Sequence, residues 1–162
     1  MRSLGLPAFI STSNALTLDQ EVLPLEASDV VALEKQRAVV ERFLTEADLK
    51  GKYLTAAGKL GTLRALLQAK VFEAKQTYEL QSMGIVLGDA FVEHMGFEWV
   101  IVRDSLGRDP ALRYKNSSIL LFPMTMISKR VERGEDVDVF GLYNSVAEEV
   151  MKLIEKVDAA KP

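Results

Sequence analysis

Three short strand patterns follow one another late in the chain, and they constrain the fold more than any other feature of the sequence. Residues 99–102 are apolar at every position, which is typical of a strand that is covered on both faces. Residues 111–115 and 118–122 follow, with a turn-prone Asn-Ser pair between them. Pro123 then ends the third strand, because proline has no N–H to donate to the ladder. The spacing predicts a small antiparallel meander.

Helical periodicity flanks this meander on both sides. Apolar residues at helical spacing predict a helix over residues 28–47 and helical structure over 62–95, as one run or as two. Gly96 then lies where a left-handed C-cap is expected. Residues 124–133 are compatible with a short helix, and residues 140–157 form a clear amphipathic pattern. Strands in succession between helices predict an α+β fold, a three-stranded sheet packed against N-terminal and C-terminal helices.

The ends of this pattern define the domain organisation. Residues 28–162 are predicted to form one α+β domain, a normal size for a single core. Residues 1–27 carry two prolines and no helical periodicity, so they are predicted to be a poorly structured arm. Arg2 followed by a short apolar stretch leaves secretion as a minor alternative to a cytoplasmic location.

Charge and composition exclude several classes of function. Lys and Arg total 20 against 23 Asp and Glu, and this mild acidity argues against nucleic-acid binding. No apolar run approaches the roughly 18 residues that cross a bilayer, so no membrane association is expected. The chain has no cysteine, which excludes disulfides, thiolate metal sites and a cysteine nucleophile.

Recognisable catalytic machinery is also missing from the sequence. His94 is the only histidine, and its neighbours indicate a structural or solvent-facing residue. No calcium loop, phosphate loop, dinucleotide fingerprint or nucleophile elbow is present. We therefore predict no catalytic residue, no metal and no cofactor. Whether the protein is an enzyme stays open, and the sequence favours a non-enzyme.

The segment between the first two predicted strands carries an unusual number of charges. Its sequence, DSLGRD over residues 104–109, is typical of a hairpin connection of five or six residues, since Asp and Ser bond nearby backbone and Gly accepts positive φ. Guanidinium groups add planar, two-pronged contacts that a simple turn does not need. The predicted binding residues are Glu98, Trp99, Asp104, Arg108, Asp109, Arg113, Lys129 and Arg130.

Three interpretations of these charges remain open at this stage. The leading one is a non-enzymatic protein-binding module, regulatory or immunity-type, that contacts a protein partner through the hairpin. The alternative is a small-ligand binder or an enzyme, with a pocket that gathers Asp89, Glu93, Glu98, Arg108 and Arg113. A third is an internal ionic clamp for the hairpin. A homo-oligomer is compatible with all three.

Residues 87–135 resemble an uncharacterised bacterial family, a domain of unknown function. The resemblance is carried by short blocks with the sequences LGDA, GFEWVIVRD, GRDPALR and FPMTMISKR. It implies a bacterial, cytoplasmic setting, and it implies that the hairpin and the Phe-Pro segment belong to one structural unit. The family offers no catalytic residue, cofactor or substrate to carry over.

Overall fold

The computed structural model describes residues 10–12 and 20–161, and in this part the fold is α+β, as predicted. Its five strands are β1 (Ile10–Thr12), β2 (Glu21–Leu23), β3 (Phe97–Asp104), β4 (Gly107–Tyr114) and β5 (Ile119–Leu121). Its six α-helices are α1 (Ala27–Glu41), α2 (Ala47–Tyr53), α3 (Ala56–Gln68), α4 (Thr77–Met95), α5 (Ser128–Glu132) and α6 (Val139–Ala159). A single 3₁₀ turn, Pro123–Thr125, precedes α5.

The strands form one antiparallel sheet in the order β1-β5-β4-β3-β2. Its centre is the predicted meander β3-β4-β5. Helices α4 and α6 lie against the sheet, α3 packs on both of them, and α1 packs along α4. The main core lies between this helical layer and the sheet, with α4 at its centre: every residue from Ser82 to Phe91 is buried.

Two edge strands come from the segment that we predicted to be a poorly structured arm. β2 pairs with β3, placing Glu21 opposite Arg103, and β1 pairs with β5. The remaining residues of the arm, 1–9 and 13–19, lie outside the described residues, and so does most of the secretion-like stretch. The extent of the arm and the single domain therefore stay predictions.

The charged connection is shorter than predicted. Asp104 pairs with Gly107, so only two residues form the turn, and Arg108 and Asp109 belong to β4. Two local features make this tight turn feasible. The Asp104 carboxylate accepts a hydrogen bond from the Leu106 N–H at 2.8 Å, and Gly107 has φ +142°, which side chains rarely adopt.

The predicted helix over residues 28–47 is interrupted. α1 ends at Glu41, and the chain leaves the helix so that Phe43 and Leu44 both reach the core. The Phe43 ring meets the Phe72 ring edge-on, with 5.9 Å between centroids. α2 then begins after Glu46, which has extended backbone angles. Tertiary packing of two adjacent apolar residues thus overrides the helical pattern.

The helical run over 62–95 is two helices, α3 and α4, and both glycines inside α4 are sites of close approach. A Cβ on Gly84 would lie 2.3 Å from the Met124 carbonyl oxygen, and one on Gly88 would lie 2.5 Å from the Trp99 ring. Gly96 ends α4 at φ +75°, the left-handed C-cap that the sequence predicts. Gly84 and Gly88 therefore allow α4 to pack closely against the Phe-Pro segment and β3.

Candidate functional site

The charged hairpin uses its guanidinium groups in ion pairs within the chain. Arg108 Nη1 and Nη2 donate to the two carboxylate oxygens of Asp29 in α1, at 3.0 and 3.1 Å. Arg113 in β4 donates to the Glu98 carboxylate in β3 at 2.9 Å. One pair therefore fastens the hairpin to α1 and the other joins its two strands, which is what the clamp interpretation requires.

Asp29 also belongs to the N-terminal cap of α1. Its carboxylate accepts a hydrogen bond from the Glu26 N–H at 2.8 Å, and the Glu26 side chain completes a capping box. The hydrogen bonds from Arg108 and then from the Glu26 N–H hold the pKa of Asp29 below its ordinary value. The ion pair is therefore fully formed at neutral pH and is lost only in acid.

Replacing Arg108 by alanine tests the clamp. Because the folded-state pKa of Asp29 is depressed, the pair stabilises the fold above the unfolded pKa of about 3.9 and ceases to do so as pH falls through the folded value. We expect Arg108→Ala to lower the melting temperature by no more than a few degrees at pH 7, and by progressively less as the pH falls below about 3.9. Asp109→Ala, a neighbouring exposed change, is the control. A difference that does not shrink as the pH falls below about 3.9 would contradict the ion-pair explanation.

Four other predicted binding residues lie on two elements, Asp104 and Asp109 on the hairpin and Lys129 and Arg130 on α5. The Asp104 carboxylate accepts the hydrogen bond from the Leu106 N–H within the turn, and Asp109 is exposed on β4. Lys129 is exposed on α5, whereas Arg130 donates to the Met126 carbonyl at 2.9 Å. The predicted protein-contact surface therefore stays a prediction.

A cavity of about 530 Å³ lies elsewhere, between α1, α2, α3, α4 and β3. We call it the Tyr53 pocket. Its lining combines three apolar side chains, two aromatic rings and charges of both signs: Leu44, Leu54, Val92, Tyr53, Trp99, Arg37, Lys50, Lys59, Glu41, Asp89 and Glu93. Of the five residues predicted to form a pocket, Asp89 and Glu93 line it, and Glu98, Arg108 and Arg113 do not.

Asp89 organises one wall of the Tyr53 pocket. Arg37 Nε and Nη2 donate to its two oxygens at 2.7 and 2.9 Å, and the Trp99 indole N–H donates to Oδ1 at 2.9 Å. The Asp89 side chain is only 11% exposed and that of Arg37 25%. The hydrogen bonds to Asp89 raise the pKa of Arg37 above its ordinary value. The carboxylate thus fixes a guanidinium from α1 and an indole from β3 at the pocket wall.

Tyr53, at the end of α2, presents a buried hydroxyl without a partner. The residue is 7% exposed, and among the described residues its hydroxyl oxygen is the one buried side-chain polar atom that makes no hydrogen bond. Burial raises the pKa of Tyr53, and the carboxylates of Glu41 and Asp89 add to that effect. The hydroxyl therefore stays protonated and keeps an unused hydrogen-bond donor beside the pocket.

Lys59 supports Tyr53 from α3. Its ammonium donates to the Tyr53 carbonyl at 2.8 Å and lies 4.8 Å from the centre of the Tyr53 ring, a cation–π distance. The corner between α2 and α3 is tight, since a Cβ on Gly58 would lie 1.7 Å from the Lys52 carbonyl oxygen. Thr55 caps α3 by accepting from the Gly58 N–H at 3.0 Å. This corner holds Tyr53 and Lys59 in place as one unit.

Sequence reasoning singled out neither Arg37 nor Lys59, although a signal was present. Arg37 lies four residues after Leu33 and three before Val40, on the buried stripe of α1. Lys59 lies four residues before Leu63 on the stripe of α3. A charged residue on an apolar helix stripe must find partners inside the protein. Tyr53 gave no such signal, because a tyrosine in a short helix is ordinary.

Two other places in the structure are weaker candidates than the Tyr53 pocket. A larger cavity, of about 870 Å³, lies between the end of α3 and the 134–139 segment, but no unpaired buried polar side chain of the described residues lines it. His94 is used structurally: its Nδ1 lies 2.8 Å from the Tyr143 hydroxyl.

In residues 10–12 and 20–161, no group of three or more His, Cys, Asp or Glu side chains is placed to hold a metal ion. No helix in the same residues is long and apolar enough to cross a membrane.

The fold and the pocket define an α+β protein with a partly enclosed, mixed-polarity cavity beside its sheet. A crystal structure from Bacteroides thetaiotaomicron VPI-5482 has a similar fold, with a TM-score of 0.63 at 17% sequence identity. The match covers 81% of this chain and 48% of that one, so the chain spans about half the length of the matched protein. At this identity the similarity shows the fold alone. None of the curated proteins matches the chain.

The family model of a domain of unknown function, DUF3806, matches residues 59–143. The chain belongs to this family, which agrees with the uncharacterised family that the sequence resembles. The matched region begins at Lys59 and includes Asp89 and Trp99. Arg37 and Tyr53 lie before it, so the Tyr53 pocket is built from both the family domain and the helices that precede it.

Proposed function

We propose that the protein binds a small organic molecule in the Tyr53 pocket. The observation that carries this proposal is the buried hydroxyl of Tyr53, which has no hydrogen-bond partner and belongs to a residue that lines the cavity. Leaving a buried polar group unsatisfied costs about 1–3 kcal/mol, and native proteins keep few such groups. A ligand that accepts a hydrogen bond from this hydroxyl would recover that free energy.

The size and lining of the cavity support the same function. Its volume of about 530 Å³ falls within the range of small-molecule sites, roughly 300–1,000 Å³. Apolar side chains supply contact area, while a few fixed polar groups supply orientation. Trp99 and Arg37 are held by Asp89 before any ligand arrives, so little ordering entropy is lost on binding. The proposal concerns binding and includes no catalytic step.

A pocket-filling variant tests this function. Val92 lines the pocket, so Val92→Phe fills part of the cavity without changing its charges. A chemically mixed library of small acids, amides, amines and alcohols is screened for compounds that raise the melting temperature, since binding to the native state stabilises it. Hits should act on the wild type and on Val71→Phe, a matched change outside the pocket, and should lose their effect on Val92→Phe. The proposal would be contradicted if no compound raised the melting temperature, or if the hits stabilised Val92→Phe as much as the wild type.

We expect the unpaired Tyr53 hydroxyl to lower the free energy of unfolding of the protein without ligand. We expect Tyr53→Phe to raise the free energy of unfolding by about 1 kcal/mol, because it removes an unsatisfied polar atom and keeps the ring. Tyr143→Phe is the matched control: its hydroxyl is bonded to His94 and to the Ala90 carbonyl, so its loss should destabilise. Chemical denaturation measures both. Destabilisation by Tyr53→Phe equal to that of Tyr143→Phe would contradict an unpaired hydroxyl.

A second candidate function is contact with another protein through the hairpin, our leading interpretation of the sequence. It is supported by Leu106, which is 95% exposed at the tip of the two-residue turn beside the charged strand β4. The test compares partners recovered from a bacterial lysate by the wild type and by Leu106→Ser. Identical recoveries would remove this candidate.

The setting of the protein stays a proposal as well. The bacterial setting is what the resemblance to the uncharacterised bacterial family implies. The cytoplasmic location rests on the sequence alone.

A further inference from the structure

Lys59 carries a buried positive charge that no carboxylate of the described residues neutralises. Its residue is 7% exposed, and the contacts of its ammonium are the Tyr53 carbonyl and the Tyr53 ring. We propose that the Tyr53 pocket binds a singly charged carboxylate with an apolar body, and that Lys59 is its counter-ion. This inference rests on the proposed function and names the class of ligand.

The other two cations of the pocket differ from Lys59. Arg37 is already paired with Asp89 through two hydrogen bonds. Lys50 is exposed at the rim, where solvent and salt screen its charge. Lys59 is therefore the cation whose field inside the pocket is least compensated. A buried charge is costly to desolvate and gains most from a charged hydrogen-bond partner.

The charges around Lys59 select a single negative charge. Three carboxylates line the same pocket, those of Glu41, Asp89 and Glu93, and one of them is neutralised by Arg37. Glu41 and Glu93 are exposed at the rim, as Lys50 is, so Lys59 is the one buried unpaired cation of the lining, and it cannot compensate both charges of a doubly charged phosphate. A carboxylate carries one charge and two acceptor oxygens, enough for the Lys59 ammonium and the Tyr53 hydroxyl together.

The rest of the lining selects an apolar body for the ligand. Leu44, Leu54 and Val92 contribute aliphatic surface, and the Trp99 ring lies beside them in the same lining. The indole N–H of Trp99 is used by Asp89 and part of its ring packs on Gly88, so the ring contributes the rest of its apolar surface to the pocket. Such a surface suits an alkyl or aryl chain attached to the carboxylate.

Three compounds with the same carbon skeleton and different charge test the inference on the wild-type protein. The compounds are 4-phenylbutyrate, 4-phenylbutanamide and 4-phenylbutylamine, and affinity is measured by the emission of Trp99, the single tryptophan of the chain. We expect the carboxylate to bind at least about tenfold more tightly than the amide, and more tightly still than the amine. Equal or tighter binding of the amide or the amine overturns the inference, and so does binding by none of the three.

Matched lysine variants assign the selectivity to its source. Lys59→Met removes the buried charge and keeps most of the unbranched side chain, whereas Lys50→Met removes the rim charge. Lys59→Met should abolish the preference for the carboxylate, and Lys50→Met should leave it within about twofold. A preference that survives Lys59→Met overturns the inference. Since the three-compound comparison needs the wild type alone, a folding defect in a variant does not remove the test.

Failure of this inference is distinguishable from failure of the proposed function. If the amide or the amine binds and Val92→Phe prevents it, the pocket binds ligands but does not select anions. If the mixed library raises no melting temperature at all, the pocket itself is not a ligand site, and both proposals fall.

Discussion

Asp89→Ala is expected to lower the free energy of unfolding by about 3 kcal/mol. The substitution leaves the Arg37 guanidinium and the Trp99 indole N–H without their acceptor. Breaking a buried pair by removing one partner typically costs about 3–5 kcal/mol, because the other charge remains buried and uncompensated. Because the Arg37 side chain is 25% exposed and reaches some water, the expected loss lies at the lower end of this range.

Two comparisons make the Asp89 prediction specific. Glu93→Ala removes an exposed carboxylate one turn further along α4 and should change the free energy of unfolding by less than about 0.5 kcal/mol. Adding Arg37→Ala to Asp89→Ala should restore part of the loss, since the uncompensated charge is gone. Urea denaturation at pH 7 measures all four proteins. A loss below about 1 kcal/mol for Asp89→Ala would show that the pair does not organise the wall.

Gly84→Ala is expected to lower the free energy of unfolding by about 2 kcal/mol. The new Cβ would lie 2.3 Å from the Met124 carbonyl oxygen and 2.6 Å from that of Pro123. These are backbone atoms, so relief requires α4 and the 3₁₀ turn to move apart. Overpacking of this kind costs about 1–3 kcal/mol, which outweighs the gain of about 1 kcal/mol from placing Ala in a helix.

Gly61→Ala is the matched control for Gly84→Ala. Gly61 is also a helical glycine, in α3, but a Cβ there would meet nothing within 4 Å. It should therefore raise the free energy of unfolding by up to about 1 kcal/mol. Thermal and urea denaturation of the two variants should thus give changes of opposite sign. Stabilisation by both would contradict the close approach of α4 to the 3₁₀ turn.

Local patterns predict much of this fold. The meander β3-β4-β5, the C-cap at Gly96 and the long helix α6 follow from apolar periodicity and turn residues. The edge strands do not, because β1 and β2 are three residues long and gain their stability from distant partners. Val22, for example, pairs with Val102. The break between α1 and α2 escapes prediction for a similar reason, since Phe43 meets Phe72 across the fold.

The candidate site was predictable in part. Asp89, Glu93 and Trp99 were all named from the sequence, and all three line the Tyr53 pocket. Arg108 and Arg113, which we grouped with them, pair with Asp29 and Glu98 instead. The missing cations come from α1 and α3, and nothing in local spacing shows that these helices face Asp89. Charges on apolar stripes mark such residues as buried, but only the fold shows which partners they meet.

The most direct test of the central claim follows the indole N–H of Trp99 by two-dimensional ¹H–¹⁵N NMR. The chain has one tryptophan, so the spectrum has one indole resonance, from a group at the pocket wall bonded to Asp89. Titration with the compounds that raise the melting temperature should shift this resonance saturably in the wild type and leave it in place in Val92→Phe. A resonance that never moves in the wild type, or that moves equally in the filled variant, would contradict ligand binding in the Tyr53 pocket.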